Sequence, residues 1–418
     1  MVLISKFNKS TIEMYINSIS ISNFRVFKKT GVRFVHPNQR FTKKNFPKPE
    51  LPNVNCVLGT NGLGKTSFLK TIALSCLGPA VGDAGIFPYS LIRKDSDNPY
   101  DNETKSEIQA HFLPHEQDHI DDFDRLESKI EIHRRSDTEL LRWSHDQDKA
   151  WHPIYDNSSE SFFFVGYGAN RRVEKQENID FGSRSLNSMY RAQRIKSLFE
   201  ETYSLVPLNS WLGQYRTENP GRYTQIRNLI NIVLEGRSHF SGEQDDNGEF
   251  LFSFGKMKIP FPALSDGYRA FIGWLGDFLY HVNKTCPSGK KLVENKGIVL
   301  VDEIDLHIHP EWQKTLLTSI AKAFPNIQFI VTTHSPLIVG SLEWMNIIML
   351  TAGSDNSSKA KKIKTDLKGL DADQILLTPL FKLKSSRVDD KSRTINILSD
   401  AATKGDIDAA KEFLNQLF

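Results

Sequence analysis

Cysteine is scarce in this chain: Cys56, Cys76 and Cys286 are the only three in 418 residues. They are odd in number, scattered and set among apolar neighbours. Core thiols of a reducing compartment are therefore expected, rather than a disulfide framework or a cysteine metal cluster. No apolar run approaches the ~18 residues of a membrane span, so no membrane role is expected. Residues 1–10 lack the apolar core and small-residue cleavage site of a secretory leader, which with the thiols points to the cytoplasm. Sustained heptads are missing, and with them a long coiled-coil arm. Charge of one sign is missing too. The 53 Lys and Arg against 50 Asp and Glu leave a net +3, which permits a nucleic-acid partner without demanding one. What is present is an ordinary globular composition, 39% hydrophobic and 25% charged, with length for two or three structural units.

Against that plain background one stretch stands out, Gly59-Thr60-Asn61-Gly62-Leu63-Gly64-Lys65-Thr66-Ser67. It fits the phosphate-loop pattern G-x-x-x-x-G-K-[ST] at every fixed position. The apolar run Val54 to Leu58 enters it as a buried strand, and Ser67 to Cys76 leaves it as a helix. Glycines let backbone N–H groups close around phosphate oxygens, and the helix aims its positive end at the same anion. Lys65 is then placed for the β- and γ-phosphates and Thr66 for a magnesium ion. A nucleotide-binding protein follows.

Upstream, Tyr15 to Ile21 alternates as a strand and Val32 to Val35 supplies a second. Between them, Phe24 or Arg25 could stack on adenine, though a plain core role is the expected one for Phe24. Glu107 to Phe112, Lys129 to Arg134 and Leu140 to Ser144 alternate likewise, which predicts an antiparallel sheet. One connection, His115-Glu116-Gln117-Asp118-His119, spells the zinc-protease motif H-E-x-x-H. That chemistry needs both imidazoles on one face of a stable helix and a third ligand. Here Pro114 precedes and three aspartates follow, and six of the twelve histidines lie between His111 and His152, so a chance match in a solvated loop is expected.

Ser161 to Val165 reads as a buried strand that ends in Gly166-Tyr167-Gly168-Ala169-Asn170-Arg171-Arg172. Two readings stand for the arginines: contact with phosphate or a moving partner, or solvation on a surface turn. Leu186 to Gly236 turns helical, as in a small lobe, and Phe250 to Phe261 forms a hairpin. Leu264-Ser265-Asp266-Gly267 then caps an amphipathic helix carrying Phe271, Trp274, Leu275, Phe278 and Leu279.

Gly297 to Val301 is an apolar run that delivers Asp302 and Glu303, the form of a buried parallel strand with its working end at the carboxyl edge. Asp302 suits magnesium held through water, and Glu303 suits a general base that orients the attacking water. Asp305, His307 and His309 alternate after them; a turn with contacts between subunits is the expected role, with metal binding as the alternative. Glu311 to Ala323 reads as a helix. Ile327 to Val331 then delivers Thr332-Thr333-His334, where His334 can donate a hydrogen bond to a γ-phosphate.

These pieces, in this order over about Ile16 to Leu350, resemble the ABC-type ATPases of the SMC, RecF and overcoming-lysogenization-defect branch. The resemblance implies an α/β fold, the P-loop ABC-ATPase head: a mixed sheet flanked by helices, an antiparallel β subdomain and a helical signature lobe. Residues 1–185 and 291–352 would form the core and 186–290 the lobe, with 353–418 a helical tail for assembly or partner docking. It implies ATP and Mg2+ as cofactors, held by Gly59, Asn61, Gly62, Gly64, Lys65, Thr66, Ser67 and Asp302. It also implies catalysis by Lys65, Glu303 and His334, and a head-to-tail homodimer or higher oligomer in which Ser265 and Gly267 meet the ATP bound by the partner chain. Two departures are visible: Asp266 stands where most transporters carry a second glycine, and the lobe-linking glutamine is missing, with Gly166 to Arg172 in its place.

Closer still, the Phe162 to Gly168 turn and the segment Gly369 to Leu376 resemble Septu-type PtuA proteins, ATPase subunits of anti-phage systems that work beside a separate nuclease. That resemblance implies an ATP-hydrolysing regulator of such an effector, slow in turnover. The alternative is a RecF-like ATPase of DNA repair that binds duplex DNA itself, for which Arg171, Arg172 and the basic run Lys359 to Lys364 speak. The default for that run alone is a solvated surface.

Overall fold

Alternating apolar and polar residues fold the N-terminal part into antiparallel strands. β1 (Met14–Phe24) pairs with β2 (Phe27–Arg33), Ile19 lying opposite Val32. The computed structural model describes residues 14–39, 41, 47–78, 90–94, 105–114, 126–135, 138–144, 163–173, 190–378, 380–381, 390–403 and 405–417. After β3 (Val54–Leu58) and α1 (Lys65–Leu77), the first sheet resumes with β4 (Lys105–Pro114), β5 (Leu126–Arg135) and β6 (Thr138–Ser144), in the order β2-β1-β4-β5-β6. Its inner face, with Ile19, Ile21, Ile108, Ile130 and Ile132, shares one core with Phe68, Leu69 and Ile72 of α1. On β4 and β5, Lys105, Glu107, Lys129 and Glu131 form a solvated ion-pair network, with Lys105 Nζ 2.8 Å from Glu131 Oε1. Exposed pairs are each worth only ~0–1 kcal/mol, so the apolar face holds the sheet. Phe24 is fully buried and takes the core role. His115 and His119 lie outside the described residues.

β7 (Phe163–Tyr167) is followed by α2 (Tyr190–Phe199), whose Ile195 and Leu198 join the core with α1, and by α3 (Leu212–Glu218). In α4 (Pro220–Leu234) the Asn219 side chain accepts from Arg222 N and Pro220 opens the first turn, so both start signals agree. β8 (His239–Gln244), β9 (Phe250–Phe254) and β10 (Met257–Pro260) form a small antiparallel sheet. α5 (Asp266–Thr285) follows and buries Phe271, Trp274, Leu275, Phe278 and Leu279.

The second sheet is the one that carries the site. β11 (Gly297–Val301) is followed by α6 (Pro310–Gln313), α7 (Leu316–Ala323) and β12 (Ile327–Thr332), then α8 (Pro336–Val339) and β13 (Ile347–Ala352). The helix expected over Glu311 to Ala323 is thus two pieces, the first ending in a tight turn where Thr315 N donates to Trp312 O at 3.1 Å. With β14 (Ser358–Lys362) the sheet order is β14-β13-β3-β12-β11-β7, parallel except for β14. β3, β11, β12 and β7 are buried at every position, as parallel strands covered on both faces must be. One face packs on α1; on α5 and nearby, Trp274 stacks on Phe278, whose ring lies 4.8 Å from that of Phe324.

The run Lys359 to Lys364, begun in β14, is solvated at Lys359, Lys361 and Lys364, as expected, but not at Ala360 and Lys362. Ser358 and Ala360 are buried while Lys359 and Lys361 are exposed, the alternation of a half-buried strand. Thr30 accepts from Ala360 N at 2.7 Å, and Lys362 Nζ donates to Met345 O at 2.6 Å. Burial lowers the Lys362 ammonium to about 7.

Residues 1–369 make one compact unit and residues 370–418 a second. In the second, Asp371 and Gln374 form a capping box on α9 (Ala372–Leu376), and α10 (Asp390–Thr403) packs on α11 (Ile407–Leu417). Asp406 caps α11 by accepting from Asp408 N and Ala409 N at 3.1 Å, while Ile407 and Leu414 are exposed. Among the described residues no helix is long and apolar enough to cross a membrane.

Candidate nucleotide site

Four strand ends converge on one edge of the parallel sheet, where open α/β sheets hold their ligands. β3 runs into the phosphate loop, and β12, β11 and β7 end beside it in register, Val301 opposite both Val331 and Tyr167. The loop needs its glycines. Gly62 and Gly64 adopt φ of +83° and +87°, and a Cβ on Gly64 would lie 2.4 Å from Val26 Cγ2. Thr60, Asn61 and Gly62 are exposed, and Gly64 caps α1 with no side-chain bond to its first turn. The turn thus leaves backbone donors open for an anion. Lys65 opens α1 and folds back, its Nζ donating to Gly59 O at 2.9 Å. Burial lowers its ammonium from the usual lysine range, opposed by Asp302, Glu303 and Asp305.

Facing the loop, Asp302 is 2% exposed and each of its oxygens accepts from a hydroxyl. Thr66 Oγ1 donates to Oδ2 at 2.5 Å, and Thr332 Oγ1 donates to Oδ1 at 2.5 Å. The Thr332 hydroxyl also accepts from Glu303 N at 2.7 Å. Glu303 itself is left-handed, φ +47°, a region that a side chain occupies only when its surroundings hold it there. His334 is half-buried; burial and the Lys65 ammonium lower its imidazole below the usual histidine range, so it is neutral at pH 7 and donates from one nitrogen. Asp302, Thr66, Lys65, Glu303 and His334 are thus brought to one edge.

Arg171 is not the solvated arginine of a surface turn. Its Nη1 donates to Asp302 O at 2.6 Å and Gly168 O at 3.2 Å, and its Nη2 to Glu303 O at 2.9 Å. Burial lowers the guanidinium to about 10, with Asp302, Asp305 and Glu303 opposing, so it stays charged. Arg172 is exposed. Sequence reasoning also missed Thr332, whose only signal is a hydroxyl residue closing a buried strand. Asp305 accepts from Thr333 Oγ1 at 2.5 Å, and His309 Nδ1 accepts from Glu311 N at 3.3 Å, which gives both structural partners. Among the described residues, no group of three or more His, Cys, Asp or Glu is arranged to hold a metal.

Ser265 stands at the N-terminus of α5, exposed and with its hydroxyl unused as a cap. Gly267 is required there because a Cβ would lie 2.4 Å from His307 O. Ser265, Gly267, Tyr268, His307, His309 and Trp312 are among the residues lining a cleft of about 420 Å³, and no residue of Gly59 to Ser67 lines it.

Sheet order, loop and acids define a phosphate-loop ATPase of α/β fold. The chain belongs to the family described as "AAA domain, putative AbiEii toxin, Type IV TA system", whose model matches residues 54–340. It is 24% identical over 380 residues to Septu protein PtuA of Bacillus mycoides (strain KBAB4), covering 90% of this chain and 46% of that protein. It is also 24% identical over 404 residues to the Retron Vc95 probable ATPase of Vibrio cholerae serotype O1 biovar El Tor, covering 78% of this chain and 74% of that one. The chain therefore spans about half the length of the first relative and about three quarters of the second. The SMC head domain from Thermotoga maritima aligns with 84% of this chain and 99% of its own, at a TM-score of 0.47 and 14% identity. The resemblance to Septu-type PtuA proteins read from the motifs holds in these similarities.

Proposed function

We propose that this chain is a cytoplasmic sensor that binds and hydrolyses ATP to regulate a separate nuclease in prokaryotic anti-phage defence, with ATP sandwiched between two chains head to tail. The observation that carries the ATP chemistry is the chain of hydrogen bonds from Thr66 through Asp302 and Thr332 to the Glu303 backbone N beside the phosphate loop. Lys65 exchanges Gly59 O for the β- and γ-phosphates. Thr66 and Asp302, a hydroxyl and a carboxylate already in contact, are hard oxygen donors that fit magnesium. Bound there, the ion supplies charge neutralisation on the phosphates. Glu303 orients water as general base and neutral His334 donates to the γ-phosphate.

The dimer is supported by Ser265. Its spare hydroxyl and the open first turn of α5 face a cleft apart from the phosphate loop, so one chain's anion clamp suits the other's ATP. The defence role is supported by the likeness to Septu protein PtuA and to retron ATPases. In this reading residues 1–185 and 291–352 form the core, 186–290 the signature lobe, and the tail after 353 serves assembly or docking.

The test is phosphate release by Lys65→Ala and Glu303→Gln, both expected to lose turnover, with Glu303→Gln keeping ATP in a trapped dimer by light scattering. Normal turnover in either sinks the assignment. A second reading, direct duplex-DNA binding in repair, is favoured by Lys28, Lys29 and Arg33 of β2 standing exposed near Lys359 and Lys361 of β14, strands joined by the Thr30–Ala360 bond. Salt-dependent, ATP-stimulated duplex binding by the isolated protein would favour it; co-purification with a nuclease favours the first.

A further inference from the structure

We infer that Arg171 is the positioning residue that sets the Glu303 backbone and links it to α5. The inference rests on Glu303 acting as the general base.

Successive carbonyls of an extended strand point opposite ways. At the end of β11 the left-handed turn at Glu303 sets the carbonyls of Asp302 and Glu303 where one planar guanidinium reaches both. A fork of parallel N–H donors matches such a pair, and a single ammonium does not. The opposite side of the same residue is fixed as well, since Glu303 N donates to Thr332 Oγ1. Its backbone is therefore clamped from β12 on one side and by Arg171 on the other. Among the described residues Arg171 bonds only backbone carbonyls, which sets its cation to fixing geometry.

The segment that carries Arg171 is tied to α5 at two points one helical turn apart. Tyr167, whose carbonyl accepts from Asp302 N at 2.9 Å, donates its phenol to Asp277 Oδ2 at 2.7 Å. Val173 packs so closely on Gly273 that a Cβ there would meet Val173 Cγ2 at 2.2 Å. Arg172 O also accepts from Leu205 N at 2.8 Å, and Asp277 Oδ1 accepts from Val206 N at 2.8 Å. Gly168 permits the path, because a Cβ would lie 2.2 Å from Ser197 O. Displacement of α5, whose N-terminus bears Ser265, is thereby transmitted through residues 167–173 to the two carbonyls that Arg171 holds.

The experiment is steady-state ATP turnover and equilibrium ATP binding by Arg171→Ala, alone and in the Glu303→Gln background, with Arg171→Lys alongside. Arg171→Ala is expected to lower kcat by at least about tenfold while the ATP Kd stays within about threefold, since it touches positioning and not binding. Added methylguanidinium should restore part of that loss and equimolar urea none. In Glu303→Gln the further change should leave residual turnover unaltered, because the group being positioned is already gone. Arg171→Lys, the variant to use if the alanine protein does not fold, should fall at least about threefold. Wild-type kcat in either variant, or a full multiplicative loss in the Glu303→Gln background, overturns the inference. If Lys65→Ala and Glu303→Gln themselves turn over normally, the functional reading fails and takes this inference with it; if they are inactive and Arg171→Ala is not impaired, only the inference fails.

Discussion

The two halves of the nucleotide site are made of different material. The phosphate loop is a backbone device, with Thr60, Asn61 and Gly62 exposed, two left-handed glycines and one lysine parked on Gly59 O. The carboxylate half is a side-chain device, with Asp302 buried, a hydroxyl on each of its oxygens, and Glu303 held in a left-handed turn. A loop that must wrap a ligand keeps its donors free until the ligand arrives, so only its shape is encoded. Carboxylates that must meet magnesium and water in fixed positions need neighbours from several strands to hold them. Damage to the first half should therefore appear as lost binding, and damage to the second as lost turnover.

The sharpest break comes from Gly64→Ala. Left-handed φ and the 2.4 Å approach to Val26 force the loop open. ATP affinity should fall roughly 100-fold, about 2.7 kcal/mol, in isothermal titration. Unchanged affinity would show that the loop tolerates a different shape. Thr332→Val keeps the strand but removes the hydroxyl shared by Asp302 and Glu303 N; kcat should drop about tenfold with Kd little altered. An equal loss of both would dissolve the distinction between the halves. Tyr167→Phe leaves buried Asp277 short of one donor, and thermal unfolding should show about 1–3 kcal/mol of destabilisation.

The smallest effect is a control outside both halves. His36 is fully buried, stacked on Tyr15, with neither ring nitrogen bonded among the described residues, and burial holds its imidazole down to about 4. A folded pKa below the unfolded 6.5 means that the unfolded chain binds more protons between those values. Stability is therefore intact above pH 6.5 and is lost as pH falls towards 4. Relative to His36→Phe, the native protein should lose about 1–2 kcal/mol more between pH 7.5 and 5, with ATP binding at pH 7.5 equal in both. Parallel stability curves would mean that His36 finds a proton partner on acidification.

Much of this was legible in the chain. The phosphate loop shows itself because strand, glycines and helix are contiguous, and Asp302 and Glu303 because an apolar run ends in them. The antiparallel sheet shows in the alternation of Ile108, Ala110 and Phe112. The partners that hold the acids did not show. Thr332 and Arg171 reach Asp302 and Glu303 only because β12 and β7 flank β11, and strand order is not written in any local pattern. β14 escaped notice because its exposed lysines outweigh two small buried residues, Ser358 and Ala360. Asp277 drew no attention in the sequence because its donors, Tyr167 and Val206, come from distant parts of the chain.

The central claim is that one chain supplies the phosphate loop and another supplies Ser265. Turnover in an equal mixture of Lys65→Ala and Ser265→Arg proteins tests it directly. Each alone should be inactive, while random pairing gives half heterodimers with one intact site of two, so about a quarter of wild-type turnover should return. A Ser265→Arg protein with full activity, or a mixture no more active than its components, would contradict the shared site.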